Sequence, residues 1–198
     1  MRTALAIGFL ALVIFRSEAA TASPASAFLQ SIAEKTDAIW ADQSETVEAR
    51  QRAVEVFIGK RLNVRRMARL SIGRFWPRAP SLARDAYLDA YRRWVAREIA
   101  PYLAAFPGET LRVSSEKSVG GGDILAETTI SALERPDRSA AFRIRIKGAE
   151  AEIIDVNTGG LSLAIANRAT FTSLVRRFGL AGLTFVLEAR AGRMGVWP

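Results

Sequence analysis

The hydrophobic period of this chain changes at Pro107-Gly108, and that change limits what it can fold into. Upstream, apolar residues recur every three or four positions, the spacing of one helix face. Downstream they alternate. Phe142, Ile144 and Ile146 interleave with Arg143, Arg145 and Lys147, the pattern of a strand with one face buried and one wet. Leu111 and Val113 begin such a strand. Ile124, Ala126, Thr128 and Ile130 share one face of a second, with Glu127 on the other, and Ala151 to Val156 makes a fourth. The connections "SVGGGD" and "ERPDRS" are too short for a crossover helix, so they read as turns of an antiparallel meander. The expected class is therefore α+β: a four-stranded antiparallel sheet with helices packed on one face.

The helical part divides at its caps and breakers. Phe28, Ile32, Ala33 and Ile39/Trp40 outline a first helix from Ser26 to about Asp42. A second runs from a Ser44 cap through Val54, Phe57 and Ile58. Asn63 can cap "VRRMARLSIG", which Gly73 ends. After Pro77 and Pro80 a long helix opens at Ser81, carries Tyr87, Tyr91, Trp94, Val95 and Ile99, and kinks or stops at Pro101. The C-terminal part is helical again, with Phe171, Leu174, Val175 and Phe178 on one side until Gly179 stops it. No linker divides this body, so 23–198 is expected to be one domain.

Residues 1–22 have a different character. Arg2 precedes an uninterrupted apolar run from Ala4 to Phe15, followed by small residues in which Ala20-Thr21-Ala22 fits a cleavage site and Ala25-Ser26-Ala27 is a second candidate. The run of 12 is short of the roughly 20 residues needed to span a bilayer. It is expected to be a signal peptide that sends the protein to the periplasm. The 198 residues include no cysteine, so an exported domain must stand on its core alone. They include no histidine either, which removes His-dependent nucleophile systems and most zinc and copper sites. Neither cofactor nor metal is expected.

Carboxylate chemistry alone stays open. Asp123, Glu127 and Asp155 lie nearest the sheet, but no spacing sets two of them across a pocket as acid–base work requires. Asp155 in "DVNTGG" reads as a turn residue, and Gly120-Gly121-Gly122 as a hairpin loop rather than a phosphate loop. The basic segment is more pronounced: between Arg50 and Arg78 stand nine Lys/Arg against the single acid Glu55. Export argues against nucleic acid, leaving an anionic lipid surface or an acidic partner. Aromatic residues cluster over 75–106. They suit a core, or one wall of an elongated apolar cavity between helices and sheet. The expected lining is Val113, Ile124, Ile130, Phe142, Ile144 and Ile146 from the sheet. Phe57, Trp76, Tyr87, Tyr91, Trp94, Phe171, Leu174 and Leu183 face them from the helices.

Four stretches in order complete the pattern. They are Ile72-Gly73-Arg74-Phe75-Trp76, Phe106-Pro107-Gly108-Glu109, Asp155 with Gly160 and Ser162, and Phe171-x2-Leu174-x4-Gly179-x2-Gly182-Leu183. Together they resemble the MlaC / toluene-tolerance family over about residues 28–190. The resemblance implies a periplasmic, non-enzymatic shuttle that encloses a phospholipid. It also implies partners: an inner-membrane MCE-type ABC transporter and an outer-membrane complex, with passing contact to membrane surfaces. Asn63 in place of an aspartate, and Pro101 within the long helix, depart from the family pattern. Some divergent branches are associated with hopanoids, which widens the implied cargo. Two other readings stand beside this one: an adaptor with a solid core, and a carboxylate-dependent envelope hydrolase.

Overall fold

A computed structural model describes residues 23–103, 109–132 and 135–192. The expected leader over 1–22 and the Phe106–Gly108 corner lie outside them.

The first five helices start where a short polar side chain can take an orphan amide, or at a proline. Helix α1 (Pro24–Ala41) begins two residues earlier than expected, because Ser23 Oγ accepts from the Ser26 amide at 3.1 Å and Pro24 brings a preset φ. Helix α2 (Val47–Gly59) is capped by Thr46, not Ser44, whose amide and hydroxyl are both taken by Asp42 Oδ1. Asn63 caps α3 (Val64–Ile72), accepting from the Arg66 amide at 2.9 Å, and Gly73 ends it at φ +50°. Helix α4 (Ser81–Ile99) stops as expected, where Pro101 enters a 3-10 turn over Ala100–Tyr102.

The sheet has five strands in the order β1-β2-β3-β4-β5, all antiparallel: β1 (Thr110–Ser118), β2 (Asp123–Ala132), β3 (Arg135–Lys147), β4 (Glu150–Thr158) and β5 (Leu161–Ser162). The fifth strand, absent from the four expected, is two residues long and forms because Gly159 and Gly160, both at positive φ, close a two-residue hairpin. The expected turn at "ERPDRS" is also corrected, since Arg135 onward already belongs to β3. Pro136 is tolerated there because β4 pairs with β3 only from Ala141, leaving that end of β3 an edge with no donor required. The triple-glycine loop is a hairpin, with all three glycines at positive φ.

Helices α1 and α3 pack on the sheet, and α4 lies among α2, α3 and α6. After the single turn α5 (Leu163–Ala166), α6 (Arg168–Gly192) is broken at Gly179 (φ 69°, ψ 178°), the stop its glycine foretells. Between the α2–α3 corner and β4 runs a backbone weld. The Asn63 amide donates to the Ile153 carbonyl and the Ile153 amide to the Arg61 carbonyl, each at 2.8 Å. The sheet's inner face (Ala126, Ile130, Phe142, Ile144, Val156) and the helices bury one continuous core.

Candidate functional site

All fourteen residues expected to line a cavity meet in this core. Trp76, Tyr87, Tyr91, Trp94, Ile130, Phe142, Ile144, Phe171 and Leu183 are buried. Phe57, Val113, Ile124, Ile146 and Leu174 are half-buried against it. The centre is an aromatic layer of α4 and α6. Tyr91 lies 5.3 Å from Trp94 edge-on, Trp94 5.2 Å from Phe171, and Tyr87 5.7 Å from Tyr91, centroid to centroid. Such edge-to-face pairs each add about 0.5–1.5 kcal/mol beyond area burial.

Two polar atoms in this layer have no partner: the Tyr91 hydroxyl and the Trp94 indole N–H. Tyr87 differs, because its hydroxyl meets Ser71 Oγ at 2.8 Å, and Ser71 in turn sits 2.8 Å from the Ala68 carbonyl. Burial, followed by the neighbouring Tyr87, pushes the Tyr91 phenol well above its ordinary range, with the nearby Ser71 hydroxyl opposing that rise, so it is a protonated donor at any physiological pH. Leaving a donor buried and unmade costs about 1–3 kcal/mol. Beyond the paired Tyr87 hydroxyl, these two donors are the polar atoms of the aromatic layer.

Close to the same helices is an open groove of about 870 Å³. Its apolar parts are Val56, Leu62, Val64 and Ala191, and its rim carries Arg52, Lys60, Arg65, Arg92 and Arg93 against Glu55, Glu152 and Glu188. Three of those cations come from the basic segment, which the fold disperses instead of presenting as one face. Arg50 donates to the Trp40 and Asp42 carbonyls, tying α1 to α2, and the Arg61 guanidinium sits 4.8 Å over the Phe57 ring. Glu55 is held above its ordinary pKa by burial, with a Gln51 hydrogen bond opposing that rise.

The three candidate acids have structural partners. Glu127 accepts from the Ser115 hydroxyl at 2.9 Å. Asp155 accepts from the Val156 amide and the Ser162 hydroxyl, both at 2.9 Å, and Ser162 caps α5 through the Ile165 amide. "DVNTGGLS" is thus a corner that turns sheet into helix. Asp123, 1% exposed, is gripped by Arg143 at 2.7 Å and Arg145 at 2.8 Å from the next strand. None of the three lines the groove, and among the described residues no cluster of three His, Cys, Asp or Glu could hold a metal.

Hydrogen bonding from Arg145, then Arg143, holds the Asp123 carboxyl below its usual range despite burial. A depressed carboxyl stabilises the fold above its unfolded pKa, and that contribution is lost as pH falls through the folded value. Stability should therefore fall in acid, below the ordinary carboxylate range. Asp123→Asn should cost about 2 kcal/mol near neutral pH, less than a fully enclosed pair because both arginines retain some water. Urea melts of both proteins from pH 7 to pH 3 should converge in acid; parallel curves would disprove it.

Sequence reasoning missed Glu109. It is 4% exposed, and both its oxygens meet Arg138, at 3.1 and 2.7 Å, while Arg138 Nε donates to the Pro101 carbonyl at 2.7 Å. The available signal was an acid opening a strand opposite an arginine-rich turn.

A one-sided meander roofed by helices, with two donors stranded in an aromatic interior, defines an α+β fold. The sequence match narrows the class. The chain belongs to the MlaC protein family, whose pattern matches residues 30–189. In three dimensions it is similar to a protein of Ralstonia solanacearum described as a phospholipid-binding protein in complex with a phospholipid. The TM-score is 0.66 at 18% identity, over 84% of this chain and 96% of that one. At that identity the likeness establishes the fold.

Proposed function

We propose that the protein is a periplasmic lipid carrier. The leader over 1–22 is removed, and the remaining 23–198 domain takes a phospholipid, or a related lipid such as a hopanoid, between the sheet and the α4–α6 layer. It passes that lipid between an inner-membrane MCE-type ABC transporter and an outer-membrane partner, without catalysis. The second cleavage candidate fits less well, since Ala25 is buried in α1 and cutting after Ala27 would remove the Ser23 cap.

The observation carrying this reading is the pair of partnerless donors at Tyr91 and Trp94. The neighbouring Ser71 hydroxyl is already shared between Tyr87 and the Ala68 carbonyl, so a guest whose glycerol, ester or hydroxyl oxygens lie among its hydrocarbon would satisfy them. Apolar burial returns about 25 cal/mol per Å², enough to displace ring against ring when an acyl chain enters. Entry requires the helical layer to lift from the sheet. The break at Gly179 supplies a hinge, leaving each half of α6 able to move without breaking helical hydrogen bonds. The Ralstonia protein's bound phospholipid supports the same cargo class.

Native mass spectrometry of protein taken from its own periplasm, with organic extraction, is the test. One lipid per chain is expected. A protein that arrives empty and takes up no added lipid would favour the solid-core adaptor. Tyr91→Phe sharpens the test, because deleting a stranded donor stabilises the empty protein by about 1 kcal/mol while weakening lipid retention about tenfold. A loss of stability in the empty form would mean that Tyr91 is already satisfied.

A further inference from the structure

We propose that a second groove, away from the cargo layer, is the face by which the protein docks on an anionic bilayer. It has a volume of about 470 Å³ and is formed where α6 crosses the end of α3. Arg74, Arg168 and Arg176 line it, and no acid does. Its floor is the buried Ile72, and Ile165 and Ala169 form an exposed apolar edge.

Both walls come from stretches without a single acid. Residues 56–84 carry eight Lys/Arg and no Asp or Glu, and 156–187 carry three arginines and none. Arg168 is also placed. Its guanidinium lies against Gly73, so close that a Cβ there would come within 2.4 Å of a terminal nitrogen. Gly73, at φ +50°, therefore both ends α3 and leaves room for the guanidinium. Guanidinium groups present paired N–H donors that match phosphate oxygens.

The apolar side chains at the rim decide between a bilayer and an acidic protein. Ile165, 49% exposed, stands on the groove within α5, and Leu161, 63% exposed, lies just ahead of that turn. An acidic polypeptide accounts for the arginines but leaves these aliphatic groups in water. An anionic bilayer accounts for both: the arginines take lipid phosphates, and Leu161 and Ile165 enter the interface. Among the described residues no helix is long and apolar enough to cross a membrane, so such contact is peripheral and reversible. Docking of this kind is independent of the cargo reading, and bound lipid is measured separately by mass.

Flotation of the purified protein with vesicles tests it. Binding is expected to phosphatidylglycerol/phosphatidylcholine vesicles, with little to phosphatidylcholine alone. Each basic residue near an anionic surface is worth about fivefold in binding, so R168Q/R176Q should weaken it at least tenfold. The control R112Q/K117Q removes the same charge from exposed sites on β1 and should change it less than twofold. Ile165→Ser should weaken the part of the binding that survives high salt. Equal losses in the two double variants would overturn the proposal in favour of unspecific charge. Full competition by millimolar glycerophosphate would overturn it in favour of a small-anion site. Failure to float, with retention on poly-glutamate that R168Q/R176Q abolishes, would assign the groove to an acidic protein.

Discussion

Phe142→Ala should lower the stability of the lipid-free protein by about 3–5 kcal/mol, the usual cost of truncating a large buried ring. Phe142 is fully buried on β3, opposite Ala126 on one side and Val156 on the other. Neither neighbour is large enough to collapse into the space. For a domain of this size about 2–4 °C of Tm accompanies each kcal/mol, so the shift should be about 10 °C. The lipid-loaded protein should respond differently. If the sheet's inner face is one wall of the cargo site, an acyl chain can occupy the vacated volume, and the loss should shrink to about half. Differential scanning fluorimetry on delipidated and reloaded samples measures both values. Equal losses in the two forms would place Phe142 outside the cargo site.

How much of this was legible in the sequence depends on whether the deciding interaction is local. The change of period at Pro107-Gly108 divided helix from sheet correctly, because side-chain alternation is a property of a single strand. Asn63, Gly73, Pro101 and Gly179 marked helix ends, since each acts through its own backbone or the next turn. The fifth strand escaped notice because a two-residue strand has no period, only its Gly-Gly hairpin. The start of β3 was misplaced because Pro136 is permitted only by β4 ending early, a non-local fact.

The interior was legible as composition and not as arrangement. All fourteen expected residues converged on the core, yet sequence could not separate a cavity wall from packed interior, because both demand the same apolar positions. Nor could it say which aromatics would be left with stranded donors. Tyr87 and Tyr91 sit four residues apart on one helix face, and what distinguishes them is that the Ser71 hydroxyl, close to both, bonds to Tyr87 at 2.8 Å. The arginine groove was hidden for the same reason. Arg74 belongs to the basic segment, but Arg168 and Arg176 lie about a hundred residues later and meet it only in the fold.

Glu109→Ala should be the most damaging single charge removal, at about 3–4 kcal/mol. The carboxylate is buried, and it holds Arg138, itself 22% exposed, by two hydrogen bonds. Arg138 in turn reaches the Pro101 carbonyl, so one acid joins the opening of β1, the end of β3 that pairs with β2 alone, and the exit of α4. Removing it leaves a largely enclosed guanidinium with only a carbonyl for company, and breaking one half of such a pair typically costs about 3–5 kcal/mol. Arg135 stands 3.8 Å from the same carboxylate but is half exposed, so it can turn to water and adds little. Replacing both members, as Glu109→Leu with Arg138→Met, should recover most of the loss, since an apolar pair leaves no charge stranded. Urea denaturation of the two single variants and the double completes the cycle. If the double variant were as unstable as the sum of the singles, the damage would lie in packing and not in the charge. The position also bears on cargo. The α4 exit is fixed to the sheet at this point, while on the proposed carrier function the aromatic layer two turns earlier lifts to admit a lipid. A loosened exit should therefore speed lipid release in a transfer assay even where the remaining fold holds.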